Sequence, residues 1–226
     1  MSSRTPRTIG IIMDGNRRYA KHEGIPTLEG HRRGYEKMKE VISWSKEAGV
    51  ENLIVYAFST ENWHRAPEEV QYLMELLHRA LIEMTDVAKK EGIRLRIIGE
   101  RNCFAPDIQE AIMRAEKETE AEVFTFVIAL SYGGRAEILQ AITRILKDNP
   151  DTVTEEQFSA QLWTNGIPNP DMIIRTGGEK RLSGFLPWQS VYSELFFTDT
   201  FWPAFTRDEF LRMLEEYAER DRRYGS

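Results

Sequence analysis

Short apolar runs alternate along this chain with longer stretches in which apolar residues recur every three or four positions. The runs predict strands at residues 8–13, 52–58, 94–99, 123–129 and 172–175, with a further short strand at 195–197. The helical spacing predicts helices over 29–47, 67–91, 106–120, 135–147, 154–162 and 206–218. Thr154 with Gln157, and Thr206 with Glu209, have the spacing of capping boxes that open the last two. Strands alternating with helices pair in parallel through right-handed crossovers. The expected fold is therefore an α/β layered structure, one domain over residues 1–226, with a central, mostly parallel six-stranded sheet surrounded by helices.

Such sheets gather ligands at the C-terminal ends of their strands. Asp14, Ser59 and Arg175 each stand at or just past a predicted strand end, so three separate stretches of chain should converge on one rim. The first is the most informative. The apolar run Ile9-Gly10-Ile11-Ile12-Met13 stops at Asp14-Gly15-Asn16-Arg17-Arg18-Tyr19: a carboxylate, a flexible glycine, an amide and two adjacent guanidiniums. Together these can hold a magnesium ion and a diphosphate. Asp14 is the natural magnesium ligand, because that ion takes hard oxygen donors and few carboxylates.

The 226 residues are 41% hydrophobic, enough for one substantial core, and carry no repeat or low-complexity tract. A net charge of −6 argues against a nucleic-acid partner, which normally demands a basic surface. The arginines at 17, 18, 65, 175 and 181 instead read as short basic loops beside Gly, Asn, Ser and Thr, suited to a compact phosphate ligand. Cys103 is the only cysteine, which excludes an intrachain disulfide or a cysteine metal cluster and fits a reducing, cytoplasmic setting. The polar residues 1–8 lack a signal-peptide core and no segment has the apolar length of a membrane span, so a soluble protein is expected.

Four further blocks accompany the first: Gly30-His31-Arg32-Arg33-Gly34; Tyr56-Ala57-Phe58-Ser59-Thr60-Glu61-Asn62-Trp63-His64-Arg65; Ile174-Arg175-Thr176-Gly177-Gly178-Glu179-Lys180-Arg181-Leu182-Ser183; and Trp188-Gln189 through Tyr192-Ser193-Glu194-Leu195-Phe196-Phe197. At these five blocks the chain resembles the cis-prenyltransferases, the family of undecaprenyl diphosphate synthase, in order from residue 9 to residue 225. The resemblance implies condensation of isopentenyl diphosphate with an allylic diphosphate, farnesyl diphosphate by default, to a Z-polyprenyl diphosphate such as undecaprenyl diphosphate. Diphosphate is the leaving group, which needs a metal and fixed cations to receive its charge.

The same resemblance assigns roles. Asp14 would hold Mg2+, with Glu194 completing the metal site across the interface of a homodimer. Gly15, Asn16, Arg17, Arg18 and His31 would hold the allylic diphosphate, with Tyr19 where many bacterial members have tryptophan. Thr27 stands where many members carry an arginine, and His22 or Arg32 could restore the missing charge. Arg175, Arg181, Leu182 and Ser183 would clamp isopentenyl diphosphate, while Lys180 replaces a histidine of some members. Ser59, Thr60, Glu61, Asn62, Trp63 and Arg65 would form the remaining wall. Family members link Asn62 and Ser59 to proton removal and substrate positioning. A neutral carboxamide is a poor base near pH 7, so Asn62 is expected to orient substrate while the diphosphate takes the proton.

The segment Arg223-Tyr224-Gly225 resembles a C-terminal motif that reaches the site near the dimer partner. The apolar stripe Val70, Leu73, Met74, Leu77, Leu81, Met84 and Ala88, widened by Leu76 and Ala80, reads as core packing, and the resemblance adds that part of it walls a product tunnel. His78 and Arg79 are candidate narrowing features of that tunnel. Product release implies peripheral membrane contact. The alternatives are a short-chain Z-prenyl synthase and a non-catalytic subunit of a heteromeric synthase.

Overall fold

The computed structural model describes residues 5–148 and 150–220. Strands β1 (Thr8–Ile12), β2 (Asn52–Ser59), β3 (Ile93–Ile98), β4 (Phe124–Tyr132), β5 (Met172–Arg175) and β6 (Glu194–Phe197) form one sheet in the order β3-β4-β2-β1-β5-β6. All five pairings are parallel. The helices are α1 (Asn16–Glu23), α2 (Thr27–Glu47), α3 (Pro67–Glu91), α4 (Pro106–Glu118), α5 (Gly134–Ile145), α6 (Glu155–Ser159) and α7 (Arg207–Glu219).

Alternate side chains of the strands feed two cores, as a sheet covered on both faces requires. Ile9, Ile11, Leu53 and Val55 pack with Met38 and Val41 of α2, Leu81 and Met84 of α3, Ile112 of α4 and Phe210 of α7. Ile12, Ile54, Val127 and Ile173 face the other way, onto Phe185, Leu186 and Trp163. Because β1 lies between β2 and β5, with Ile12 paired to both Tyr56 and Arg175, the strand ends bearing Asp14, Ser59 and Arg175 share one edge.

Several elements differ from the sequence expectation. Arg17 and Arg18 are not in a loop: they occupy the first turn of α1, an unexpected helix. Its sequence buries only Ala20 and so carries no apolar period. Gly24, at φ +66°, ends it in the left-handed conformation that glycine adopts without strain. Pro26 then caps α2, which begins at Thr27 rather than 29. Strand β4 starts later than expected, leaving Val123 91% exposed, and continues to Tyr132. α6 closes after one turn, although Thr154 and Gln157 do form the expected capping box.

Candidate active site

Helix α1 is seated by two glycines of α2. A Cβ at Gly30 would lie 2.5 Å from the Asn16 carbonyl oxygen, and one at Gly34 would lie 2.4 Å from Asn16 Oδ1. This close approach explains the glycines that bracket the Gly30–Gly34 block, and it sets the basic first turn of α1 over the strand ends. Asp14 lies between two cations there. Arg175 Nη2 donates to Asp14 Oδ2 at 2.7 Å, and Arg18 Nη2 stands 3.0 Å from Asp14 Oδ1. Arg175 is buried and also donates to Ser183 Oγ at 2.8 Å and to the Arg181 carbonyl. A Cβ at Gly177 would come within 2.8 Å of Arg18 Nη2, so the Thr176-Gly177 turn closes against α1 only because that position is glycine.

A polar cavity of about 700 Å³ opens over this junction, lined by Asp14, Gly15, Asn16, Arg17, Arg18, Thr27, His31, Ser59, Asn62 and Arg65. It runs into a narrow apolar cavity of about 120 Å³ walled by Leu73, Met74, Leu76, Leu77, Ala80, Leu81 and Met84 of α3, opposite Tyr35 and Met38 of α2. Met13, Asn16, His31, Ala57 and Leu73 line both. Much of the α3 stripe therefore borders a cavity as well as the core. A roomy charged cavity joined to a greasy one fits an amphiphile with an anionic head.

Among the described residues no three His, Cys, Asp or Glu side chains form a ready-made metal cage. A lone carboxylate nevertheless fits magnesium, which binds through one or two carboxylates, substrate phosphates and water. Asp14 Oδ2 accepts one hydrogen bond from Arg175 and Oδ1 is ion-paired with Arg18, so the carboxylate keeps lone pairs for a metal.

Glu69, which sequence reading missed, organises the opposite wall. Its carboxylate accepts from His31 Nε2 at 3.0 Å and Arg65 Nη1 at 2.9 Å, with Arg17 Nε 3.9 Å away. Burial holds the His31 imidazole below its ordinary value of 6.5, opposed by the Glu69 bond. Glu69 itself resists burial, and the combined pull of His31, Arg65 and Arg17 keeps its carboxyl below 4.5. A neutral His31 thus donates from Nε2 to Glu69.

Asn62 uses its side-chain oxygen locally: Oδ1 accepts from the Ser59 backbone N–H at 3.1 Å in a capping box that opens the 3-10 turn Thr60–His64. The carboxamide that lines the cavity consequently has its NH2 donors to offer rather than its oxygen.

Other expected site residues stand behind or beside the cavity. Tyr19 accepts from Arg33 Nη1 at 3.0 Å. Thr60 packs against Gly133, Glu61 is exposed, and Trp63 bonds Ser131. Arg181 is exposed and paired with Glu179, Leu182 packs on the second core, and Lys180 is exposed. Neither neighbour expected to restore charge near Thr27 faces the cavity: Arg32 is paired with Glu29 and His22 with Glu23. Lys21, one turn beyond Arg17 on α1, lines it instead. His78 and Arg79 do not border the apolar cavity, since His78 faces Asp107 and Arg79 Nε donates to the Glu75 carbonyl. Glu194 begins β6, opposite Met172 at the start of β5, and accepts from Arg220 Nη1 at 2.8 Å. Within one chain it is therefore at the other end of the sheet from Asp14. The Arg223-Tyr224-Gly225 segment lies outside the described residues.

A second missed residue, Glu137, is fully buried. It accepts from Tyr132 Oη at 2.5 Å and Gln189 Nε2 at 3.0 Å, tying the segment before β6 to the end of β4.

A polar cavity at parallel strand ends, joined to an apolar one, is the kind of site a transferase acting on amphiphilic anions needs. The comparisons agree. The family model described as "Putative undecaprenyl diphosphate synthase" matches residues 12–225, and the chain belongs to this cis-prenyltransferase family. It is 44% identical to an isoprenyl transferase of Thermotoga maritima over 98% of this chain and 97% of that one. It is also 44% identical to a tritrans,polycis-undecaprenyl-diphosphate synthase (geranylgeranyl-diphosphate specific) of Picrophilus torridus, over 97% of this chain and 90% of that one. Its structure resembles that of lavandulyl diphosphate synthase from Lavandula x intermedia in complex with dimethylallyl diphosphate, with a TM-score of 0.94, 33% identity, and coverage of 98% and 99% of the two chains.

Proposed function

We propose that the protein condenses isopentenyl diphosphate with an allylic diphosphate, farnesyl diphosphate in the first instance, to a Z-polyprenyl diphosphate of undecaprenyl length, releasing diphosphate. The observation that carries this reading is the Asp14–Arg175–Arg18 junction, of which Asp14 and Arg18 line the polar cavity that joins the apolar one. Arg17, Arg18, Asn16 and His31 bind the allylic diphosphate so that its chain enters along α3. Arg175 and Ser183, with Arg181, hold isopentenyl diphosphate on the other side of Asp14. Asn62 orients the second substrate through its NH2 group, and the proton lost from carbon passes to the departing diphosphate.

Mg2+ held by Asp14 and the substrate phosphates would supply charge neutralisation for the leaving group. Glu194 would join it from the partner of a homodimer. The exposed Leu195 on the edge strand, with the exposed Val191 and Tyr192 in the turn before it, supports that pairing. No helix of the described residues is long and apolar enough to cross a membrane. The exposed Ile82 and Val87 on α3 support peripheral contact with a bilayer on product release, from the cytoplasmic side. The small volume of the apolar cavity, about 120 Å³, supports a second reading, a short-chain product, since a long chain needs the walls to move aside.

Incubation with labelled isopentenyl diphosphate, farnesyl diphosphate and Mg2+, followed by chromatographic sizing of extracted products, tests both. A long Z-polyprenyl ladder is expected, one or two additions would select the short-chain reading, and absence of any labelled extract would sink the enzymatic proposal.

A further inference from the structure

At the end of β4, Ser131 adopts φ +46°, a left-handed conformation that non-glycine residues enter at a cost. It is 1% exposed, and its surroundings hold it there. Its carbonyl accepts from Glu100 N at 3.1 Å, and β3 passes so close that a Cβ at Gly99 would lie 1.9 Å from the Leu130 carbonyl oxygen. Strain of this kind persists where neighbouring structure over-determines it, and it concentrates beside functional sites.

The side chain of Ser131 has one clear task. Its Oγ accepts from Trp63 Nε1 at 2.9 Å. The indole lies edge-on to Phe58 at 4.9 Å and tilted against Phe104 at 5.6 Å between ring centres, so only its polar edge needs a partner. Trp63 follows Asn62 in the same short turn. On the other side of Asn62, Thr60 meets Gly133, where a Cβ would stand 2.7 Å from Thr60 Oγ1. The tail of β4 therefore grips the turn on both sides of Asn62. The β2–β4 register shifts between Phe58 and Ser59, just where the turn departs.

We propose that Ser131 is a positioning residue for Asn62: its left-handed backbone aims Oγ at the Trp63 indole, and that bond fixes the turn from which the Asn62 carboxamide reaches the cavity. The inference rests on the prenyl-transfer reading of the site.

The test uses the full-length chain with Ser131→Ala, Ser131→Gly, Trp63→Phe and the Ser131→Ala/Trp63→Phe pair. Turnover, both Michaelis constants, thermal melting and hydrogen exchange at the Trp63 indole N–H are measured. A small displacement of a positioned group can cost up to about a hundredfold in rate, so the three single variants should lose about tenfold or more in kcat. The allylic KM should stay within about twofold. The double variant should be no worse than Trp63→Phe, as expected for two partners of one bond. Indole exchange should accelerate in both Ser131 variants. Ser131→Gly separates the bond from the strain, because it relieves the backbone yet lacks the acceptor. Wild-type kcat in Ser131→Gly, additive losses in the double variant, or an unchanged indole exchange rate would overturn the proposal. If the parent protein makes no prenyl product, the functional reading fails, while indole exchange still reports on the bond itself.

Discussion

Asp14 and Arg175 are separated by 161 positions in the chain and meet at 2.7 Å, with Arg18 closing on the other carboxylate oxygen at 3.0 Å. This almost fully buried guanidinium is held through its two terminal nitrogens by the carboxylate, Ser183 and the Arg181 carbonyl, while its Nε has no protein partner. In the proposed reaction the same carboxylate would hold the metal that receives leaving-group charge.

Asp14→Asn keeps the shape and removes the charge. It should lower kcat by about a hundredfold or more, the usual loss when preorganised electrostatic stabilisation is removed, with a melting temperature lowered by only a few degrees. Turnover within tenfold of the parent would show that Asp14 has no part in the reaction.

His31 links binding to pH. Its folded value lies below 6.5, so near pH 7 it is neutral, and a diphosphate placed beside it draws that value upward. Binding then takes up a proton, and affinity rises as pH falls. Between about pH 8 and pH 6 the allylic KM should decrease more in the parent than in His31→Gln, which retains only the titration of the ligand. Identical profiles would exclude His31 from the anion site. For the empty protein the sign reverses. The unfolded chain binds the proton more readily, so the stability contributed by neutral His31 is present above 6.5 and is lost as pH falls toward the folded value.

Lys21 shares a face of α1 with Arg17, four residues earlier, and lines the polar cavity, as Thr27 does. Lys21→Gln should raise the allylic KM by about three- to tenfold, the range for a partly exposed charge-assisted contact, and leave the isopentenyl KM unchanged. The effect should shrink at high salt, and Thr27→Arg in that background should recover it. Equal Michaelis constants at low ionic strength would remove Lys21 from the site.

Leu81 is 1% exposed and borders the apolar cavity. Leu81→Ala should shift products toward longer chains at a cost of about 2–5 kcal/mol in stability. Chromatographic sizing at a temperature well below the melting point checks this. An unchanged product distribution would place the growing chain elsewhere.

Much was determined by the sequence alone. Apolar runs bounded by turn residues located every strand of the sheet. The inner strands β1, β4 and β5 are buried on both faces and so almost wholly apolar, while the edge strands β3 and β6 keep enough apolar positions to be read. Alternation with helices then made the sheet parallel and put Asp14, Ser59 and Arg175 on one edge. Periodicity records which side of an element avoids water, and that is all it records. It could not reveal α1, whose eight residues bury one alanine. It could not say whether Leu73 or Leu77 faces packed core or open channel, since both surroundings are equally dry. Only tertiary structure decided what stands opposite each side chain. Across long stretches of chain, Glu69 gathers His31 and Arg17, and Ser131 meets Trp63, while Lys21 rather than Arg32 turns to the cavity. Locally, the Asn62 oxygen is taken by Ser59. Such pairings depend on distances between residues far apart in sequence, or on backbone geometry that a residue pattern does not encode.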